Sequence, residues 1–278
     1  MPAFATPGPI AATVQVAGAQ VRVTASDRTD TVVLVEPINQ AKPSDVKVAN
    51  KTKVDFAGGQ LSVKTTVPGD SNGSVAITID LPTGSSLVAY LAHSSVNADG
   101  PLSQCELHMA SGRAQLDRVD ALQANIAAGE ASVGHVAGRA TIDGGRFAVR
   151  IGEVKGTVRL SSSAGQSWIG HASADLDLSS GSGGFDIERA DGSVTAKTGD
   201  GAIRIGRLSR GQAELVNRSG NIEIGISEDA TAWVEANSER GSVRNSVPSR
   251  ESQGTLDDKV AIHARTRYGD IIIQRAAS

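Results

Sequence analysis

Twenty-seven basic against thirty acidic residues in a chain of 278 leave a formal net charge of -3. No basic cluster is interleaved with aromatics, so nucleic acid is excluded as a partner. Aromatics supply only 3% of the residues while 39% are hydrophobic. The interior must therefore be built from Ala, Val, Ile and Leu, which suits a narrow core between closely stacked strands better than a broad globular one. The lone cysteine, Cys105, rules out an internal disulfide and fits a reducing compartment. No apolar run reaches the roughly eighteen residues of a membrane span. Met1 to Pro7 has neither a basic region nor an apolar stretch of secretory type, so the expected location is cytoplasmic.

In chain order, residues 10–90 are rich in strand patterns but weakly periodic. Thr13 to Val16 and Gln20 to Val23 flank Ala17-Gly18-Ala19, which predicts a hairpin. Val46 to Phe56 and Gln60 to Thr66 flank Ala57-Gly58-Gly59, which predicts a second. Ser74 to Leu81 alternates and Pro82 closes it. No segment has the apolar spacing of an amphipathic helix, so none is expected. Residues 1–85 read as a β-rich N-terminal cap running continuously into a solenoid over 86–278.

The solenoid rests on a repeat. An aliphatic anchor recurs at Leu116, Val133, Ile151, Ile169, Ile187, Ile205 and Ile224, with spacings of 17, 18, 18, 18, 18 and 19. Two residues earlier stand Ala114, Ala131, Val149, Ser167, Phe185, Ile203 and Ile222; three residues later stand Val119, Val136, Val154, Ala172, Ala190 and Leu208. A second alternating pair completes each coil, as in Val158/Leu160 and Leu176/Leu178. Alternation at period two means strands with these side chains turned inward. The same clock extends back through Cys105, Leu107 and Met109, which makes Cys105 a core residue. The fold class is all-β, a parallel β-solenoid with coils of about eighteen residues.

Beyond the last regular coil, Gly241-Ser242-Val243 and Gly269-Asp270-Ile271 repeat the signature of Gly220-Asn221-Ile222. Their separation exceeds one coil, which places an inserted loop at about 246–259. Ile271-Ile272-Ile273 then reads as an uncapped end, through which copies of the chain could associate.

Turns such as Thr198-Gly199-Asp200-Gly201, Arg218-Ser219-Gly220-Asn221-Ile222-Glu223 and Thr266-Arg267-Tyr268-Gly269-Asp270-Ile271 resemble those of the bacterial β-strand-repeat family called "putative adhesin". The opening Phe4-Ala5-Thr6-Pro7-Gly8-Pro9-Ile10 and the Leu81-Pro82-Thr83-Gly84-Ser85 turn look like its actinobacterial members. The resemblance covers essentially the whole chain. It implies a β-solenoid and brings no catalytic residues with it.

Chemistry is sparse. A left-handed hexapeptide helix needs an aliphatic residue every six positions, and six and twelve after Ile169 stand Asp175 and Gly181. Calcium-binding nonapeptide coils need a half-period Gly/Asp repeat that is missing. Nucleophile-elbow, P-loop, Rossmann and zincin motifs are absent, so no catalytic residue and no cofactor is expected.

Two polar columns stand out. Arg118, His135, Glu153, His171, Arg189 and Arg207 follow the anchors by two residues. Within it His135, Glu153 and His171 are metal-ligand types, set against the plainer reading of a solvated face of offsetting charges. Arg150, Trp168, Asp186, Arg204 and Glu223 form the other, where Trp168 falls between inward positions. Aromatic and arginine side chains are enriched at contact surfaces, so Trp168, Arg150, Asp186 and Arg204 are the candidate partner-binding residues. The expected function is a non-enzymatic scaffold or interaction protein that presents flat solenoid faces to a protein or glycan. A self-assembling protein similar to bactofilins, and a carbohydrate-active β-helix enzyme, are the alternatives.

Overall fold

The computed structural model describes residues 2–65, 73–247 and 259–276. The described residues are almost entirely strand, with one helix among them, and parallel strands wind round an axis as a β-solenoid. The chain forms two compact units, Met1–Ala137 and Gly138–Ser278.

The second unit carries the regular coils. Its strands are β9 (Ala140–Val154), β10 (Val158–Ala164), β11 (Ser167–Ala172), β12 (Leu176–Ser182), β13 (Phe185–Ala190), β14 (Val194–Asp200), β15 (Ile203–Leu208), β16 (Gly211–Ser219), β17 (Ile222–Ile226), β18 (Thr231–Arg240), β19 (Val243–Asn245), β20 (Lys259–Tyr268) and β21 (Ile271–Arg275). Parallel pairing at the coil period puts Val149, Ser167, Phe185, Ile203 and Ile222 in one file. Ile151, Ile169, Ile187, Ile205 and Ile224 form the next. On another side Ala140, Val158, Leu176, Val194 and Ala213 stack in the same way. All of these are buried. Each rung satisfies its backbone through its neighbours and fills the interior with like side chains, so neither strand nor core exists for one coil alone.

The corner after the second stack is polar, and buried at Ser162, Thr198, Asn217 and Thr266. Ser162, Ser180, Thr198, Asn217, Thr266 and Ser238 occupy one register position. Thr198 donates to the Gly183 carbonyl at 2.8 Å, Asn217 to Gly201 at 2.8 Å, Thr266 to Gly220 at 3.3 Å and Ser238 to Gly269 at 2.8 Å. Each hydroxyl or amide thereby satisfies a corner carbonyl, as burial demands.

The coils at the end of this unit are not in chain order. β20 lies between β16 and β18, and β21 between β17 and β19. Ile271–Ile273 is therefore bonded on both edges, which corrects the expectation of an uncapped end there. The outermost coil among the described residues is β18–β19. Composition explains the order. β21 brings Ile271 and Ile273 to the inward positions, whereas β19 brings Val243 and Asn245. An amide in an aliphatic slot belongs where water can reach it, so the greasier coil takes the inside. The expected loop at about 246–259 lies almost wholly outside the described residues.

In the first unit the strands are β1 (Ala3–Ala5), β2 (Ala11–Ala17), β3 (Ala19–Ser26), β4 (Asp30–Pro37), β5 (Lys53–Ala57), β6 (Gln60–Lys64), β7 (Val75–Pro82) and β8 (Ser86–Val136), with helix α1 (Pro43–Lys51) between β4 and β5. β8 runs through several coils, and Cys105, Leu107 and Met109 are buried in it. Burial pushes the Cys105 thiol up to about 12, with the neighbouring Glu106 adding to it.

The expected hairpin at Ala17-Gly18-Ala19 does not form. β2 pairs in parallel with β6 and β8, and β3 in parallel with β7 and β8. Gly18, at φ +65°, turns a coil corner rather than reversing the chain. Here too a coil close to the chain end is sandwiched, since β2–β3 lies between β6–β7 and the first coil of β8. β5 and β6 do form the second hairpin, from Lys53 to Lys64; Thr66 lies outside the described residues.

Val46 to Lys51, expected as strand, is helical. Pro43 sits in its first turn and Asp45 is the reason the turn holds. The Asp45 carboxylate accepts from Asn39 N–H at 3.1 Å and Ser74 N–H at 2.9 Å, and pairs with Lys42 at 3.3 Å. The Ser74 N–H above all holds its pKa below the usual range. Antiparallel β4 covers β7, and β1 in turn pairs with β4, so this edge of the sheet is covered by reversing strands.

Candidate functional site

The outward column of the second unit is assembled by the pairing already described. Arg150 pairs with Trp168, Trp168 with Asp186, Asp186 with Arg204, and Arg204 with Glu223. These side chains stand on successive rungs, ~4.8 Å apart. The Arg150 guanidinium lies 4.6 Å from the centroid of the Trp168 ring. The edge of the indole also comes close to Gly170, where a Cβ would lie 3.0 Å from it. The Trp168 ring is thus half-buried, packed against the Arg150 guanidinium and close to Gly170. Arg204 donates to Asp186 at 2.8 Å. Beside Arg204 and Glu223, Gly206 and Gly225 leave a groove of about 370 Å³ walled by Arg189, Arg207 and Gln274.

Arg118 and His135 of the other column belong to the first unit; Glu153, His171, Arg189 and Arg207 belong to the second and are aligned rung by rung. His171 Nε2 lies 2.8 Å from Asp191 Oδ2, whose other oxygen accepts from Arg189 at 3.0 Å. Among the described residues no group of three His, Cys, Asp or Glu side chains is arranged to hold a metal. Partial burial pulls the Asp191 carboxyl up, but hydrogen bonds from Arg189, His171 and Ser209 override it and leave its pKa at about 2.

A carboxyl depressed on folding stabilises the native state at pH above its unfolded value, near 3.9, and that contribution is lost as pH falls toward 2. Asp191→Asn should therefore lose about 1–3 kcal/mol at neutral pH and show a flatter stability profile between about pH 4 and 2. Denaturant melts of both proteins across that range check it.

A feature of the first unit escaped the sequence reading. Tyr90 and His108 stack with ring centroids 4.6 Å apart and planes 5° from parallel. They flank a groove of about 690 Å³ that also involves Gln15, Lys64, Thr65 and Asn125. His108 Nε2 lies 2.6 Å from the Glu106 carboxylate. The signal was available, since Tyr90 precedes His108 by one coil length of 18 residues.

With this geometry in place, the comparison with known proteins is decisive on one point. The profile of the family described as Toastrack DUF4097 matches residues 12–275. The chain belongs to the Toastrack family. Crystal structures similar to this Toastrack chain include a "putative adhesin" from Parabacteroides distasonis, with 10% identity, 97% of this chain and 94% of that one covered, and a TM-score of 0.41. Another "putative adhesin", from Parabacteroides merdae, has 10% identity, coverages of 99% and 95%, and a TM-score of 0.37. A third, from Bacteroides fragilis, has 11% identity, coverages of 98% and 95%, and a TM-score of 0.34. No curated protein matches the sequence of this Toastrack chain. Among the described residues no helix is long and apolar enough to cross a membrane.

Proposed function

We propose that this Toastrack chain is a non-enzymatic interaction protein, and that the face carrying Arg150, Trp168, Asp186 and Arg204 receives a macromolecular partner. The observation behind this reading is the held Trp168 ring. An aromatic packed against a guanidinium and a glycine loses little side-chain freedom when a partner covers it, so its contact area converts efficiently into affinity. Arg204 and Asp186, already bonded to each other on the adjoining rungs, supply a polar rim. A repeating face of this kind suits an extended partner, either a protein or a glycan, better than a small substrate.

Cross-linking in native extract followed by mass spectrometry, with the wild-type chain and Trp168→Ala in parallel, tests it. A partner that contacts this face should bind the variant at least about tenfold more weakly, as an interface aromatic predicts, while the two melting curves stay within a few degrees. Equal capture by both proteins, or turnover of a glycan or ester by the wild type, would overturn the reading. End-to-end assembly through Ile271–Ile273 loses its basis, because that segment is paired on both edges.

A further inference from the structure

Coil Lys259–Arg275 is held between two strand pairs that offer it the same register. Val216 and Asn237 both pair with Arg265, Leu215 and Ala236 with Ala264, and Ile222 and Val243 with Ile271. If the middle coil leaves, the edges that meet are matched at their inward positions. Ala213 comes opposite Val234, Leu215 opposite Ala236, Asn217 opposite Ser238 and Ile222 opposite Val243; among the inward positions only the Ile224–Asn245 pair is unlike in kind, while on the outer face Glu214 meets Glu235, where solvent screens the two charges.

The polar groups match as well. Ser238, which donates to the Gly269 carbonyl, would find the Gly220 carbonyl that Thr266 now uses. Ser242, whose N–H bonds Asp270 Oδ1 at 2.8 Å, would find Asn221 Oδ1, which now accepts the Asp270 N–H at 3.0 Å. In chain order β18–β19 precedes β20–β21, and its closure onto β16–β17 spans the shorter loop, so that closure is the faster one to form.

We propose that the slot between β16–β17 and β18–β19 is a strand-exchange site whose partner is a second copy of the chain. A copy that gives up its coil closes β18–β19 onto β16–β17. In a reciprocal exchange both slots reopen and each freed coil makes in the other copy the pairings it made at home, so exchange costs association entropy and little contact energy, and protein concentration offsets it. Insertion of an extended segment between matched edges is strand addition on both sides at once.

Cysteine pairs read the states directly, since neighbouring rungs ~4.8 Å apart suit a disulfide and a gap of two rungs does not. Buried Cys105, its thiol held up to about 12, does not compete and is retained. A V216C/R265C double variant should close a disulfide within one chain and so report the inserted coil. V216C/N237C should close only in chains refolded with the coil out. V216C and R265C chains refolded together at high concentration should give a reducible dimer, in several-fold excess over R265C refolded with S179C. Ser179 lies on the same outward column two rungs from Val216, so that control measures chance collision. Dimer no more abundant than the control, failure of V216C/N237C to close, or failure of V216C/R265C to close within the chain would each overturn the proposal.

Discussion

An Ile187→Asp chain is expected to show no cooperative melting transition at all. Ile187 is fully buried and sits in file between Ile169 and Ile205. A carboxylate there has no cation and no N–H within the core to accept, and the cost of an unpaired buried charge exceeds the whole stability of ordinary domains, roughly 5–15 kcal/mol. Relaxation toward solvent is barred by the rungs above and below. Ile187→Val, which keeps the shape and loses one methyl, should cost only about 0.5–1.5 kcal/mol and melt cooperatively. Circular dichroism melts of the three proteins separate the outcomes; an Asp variant melting like the Val variant would mean that the file is not a closed core.

Gly165→Ala is the second severe change. Gly165 has φ +122°, and an added Cβ would lie 1.8 Å from the Phe147 carbonyl oxygen and 2.7 Å from its carbon. The obstruction is backbone of the preceding rung, tied into its own ladder, so neither side can give way without breaking hydrogen bonds. Strain at such a φ adds its own penalty. The expected loss is at least about 3 kcal/mol, against about 0.5 for an ordinary surface change. Chemical denaturation gives the value, and a loss below 1 kcal/mol would place the corner elsewhere.

The candidate face was legible in the sequence to the extent that it is a product of register. Once Ile151, Ile169 and Ile187 were counted as equivalents, Arg150, Trp168 and Asp186 had to follow one another on the outside. What the residues do to one another was not legible. That Arg150 lies over the indole, and that His171 is engaged by Asp191, depends on rotamers and on a residue in the next corner. Tyr90 and His108 were missed because the clock was applied from Cys105 onward and not to the turn of the chain before it.

Helix α1 shows a different limit. Pro-Ser-Asp-Val-Lys-Val-Ala-Asn-Lys has two β-branched residues and a weak apolar stripe, so local propensity does not favour a helix. The Asp45 carboxylate reaching Ser74, 29 residues away, supplies what propensity does not.

The amino-acid sequence alone determined the coil, its length, its inward residues and the all-β class, because burial on both sides of a thin core leaves a period that side-chain chemistry must obey. The order of the coils at the chain ends was decided only in three dimensions. Rungs bind through backbone groups common to every residue and through interchangeable Ala, Val and Ile positions, so β16 accepts β18 or β20 equally well by pattern. The choice falls to which coil loses more by facing water, and that comparison exists only once all of them are stacked.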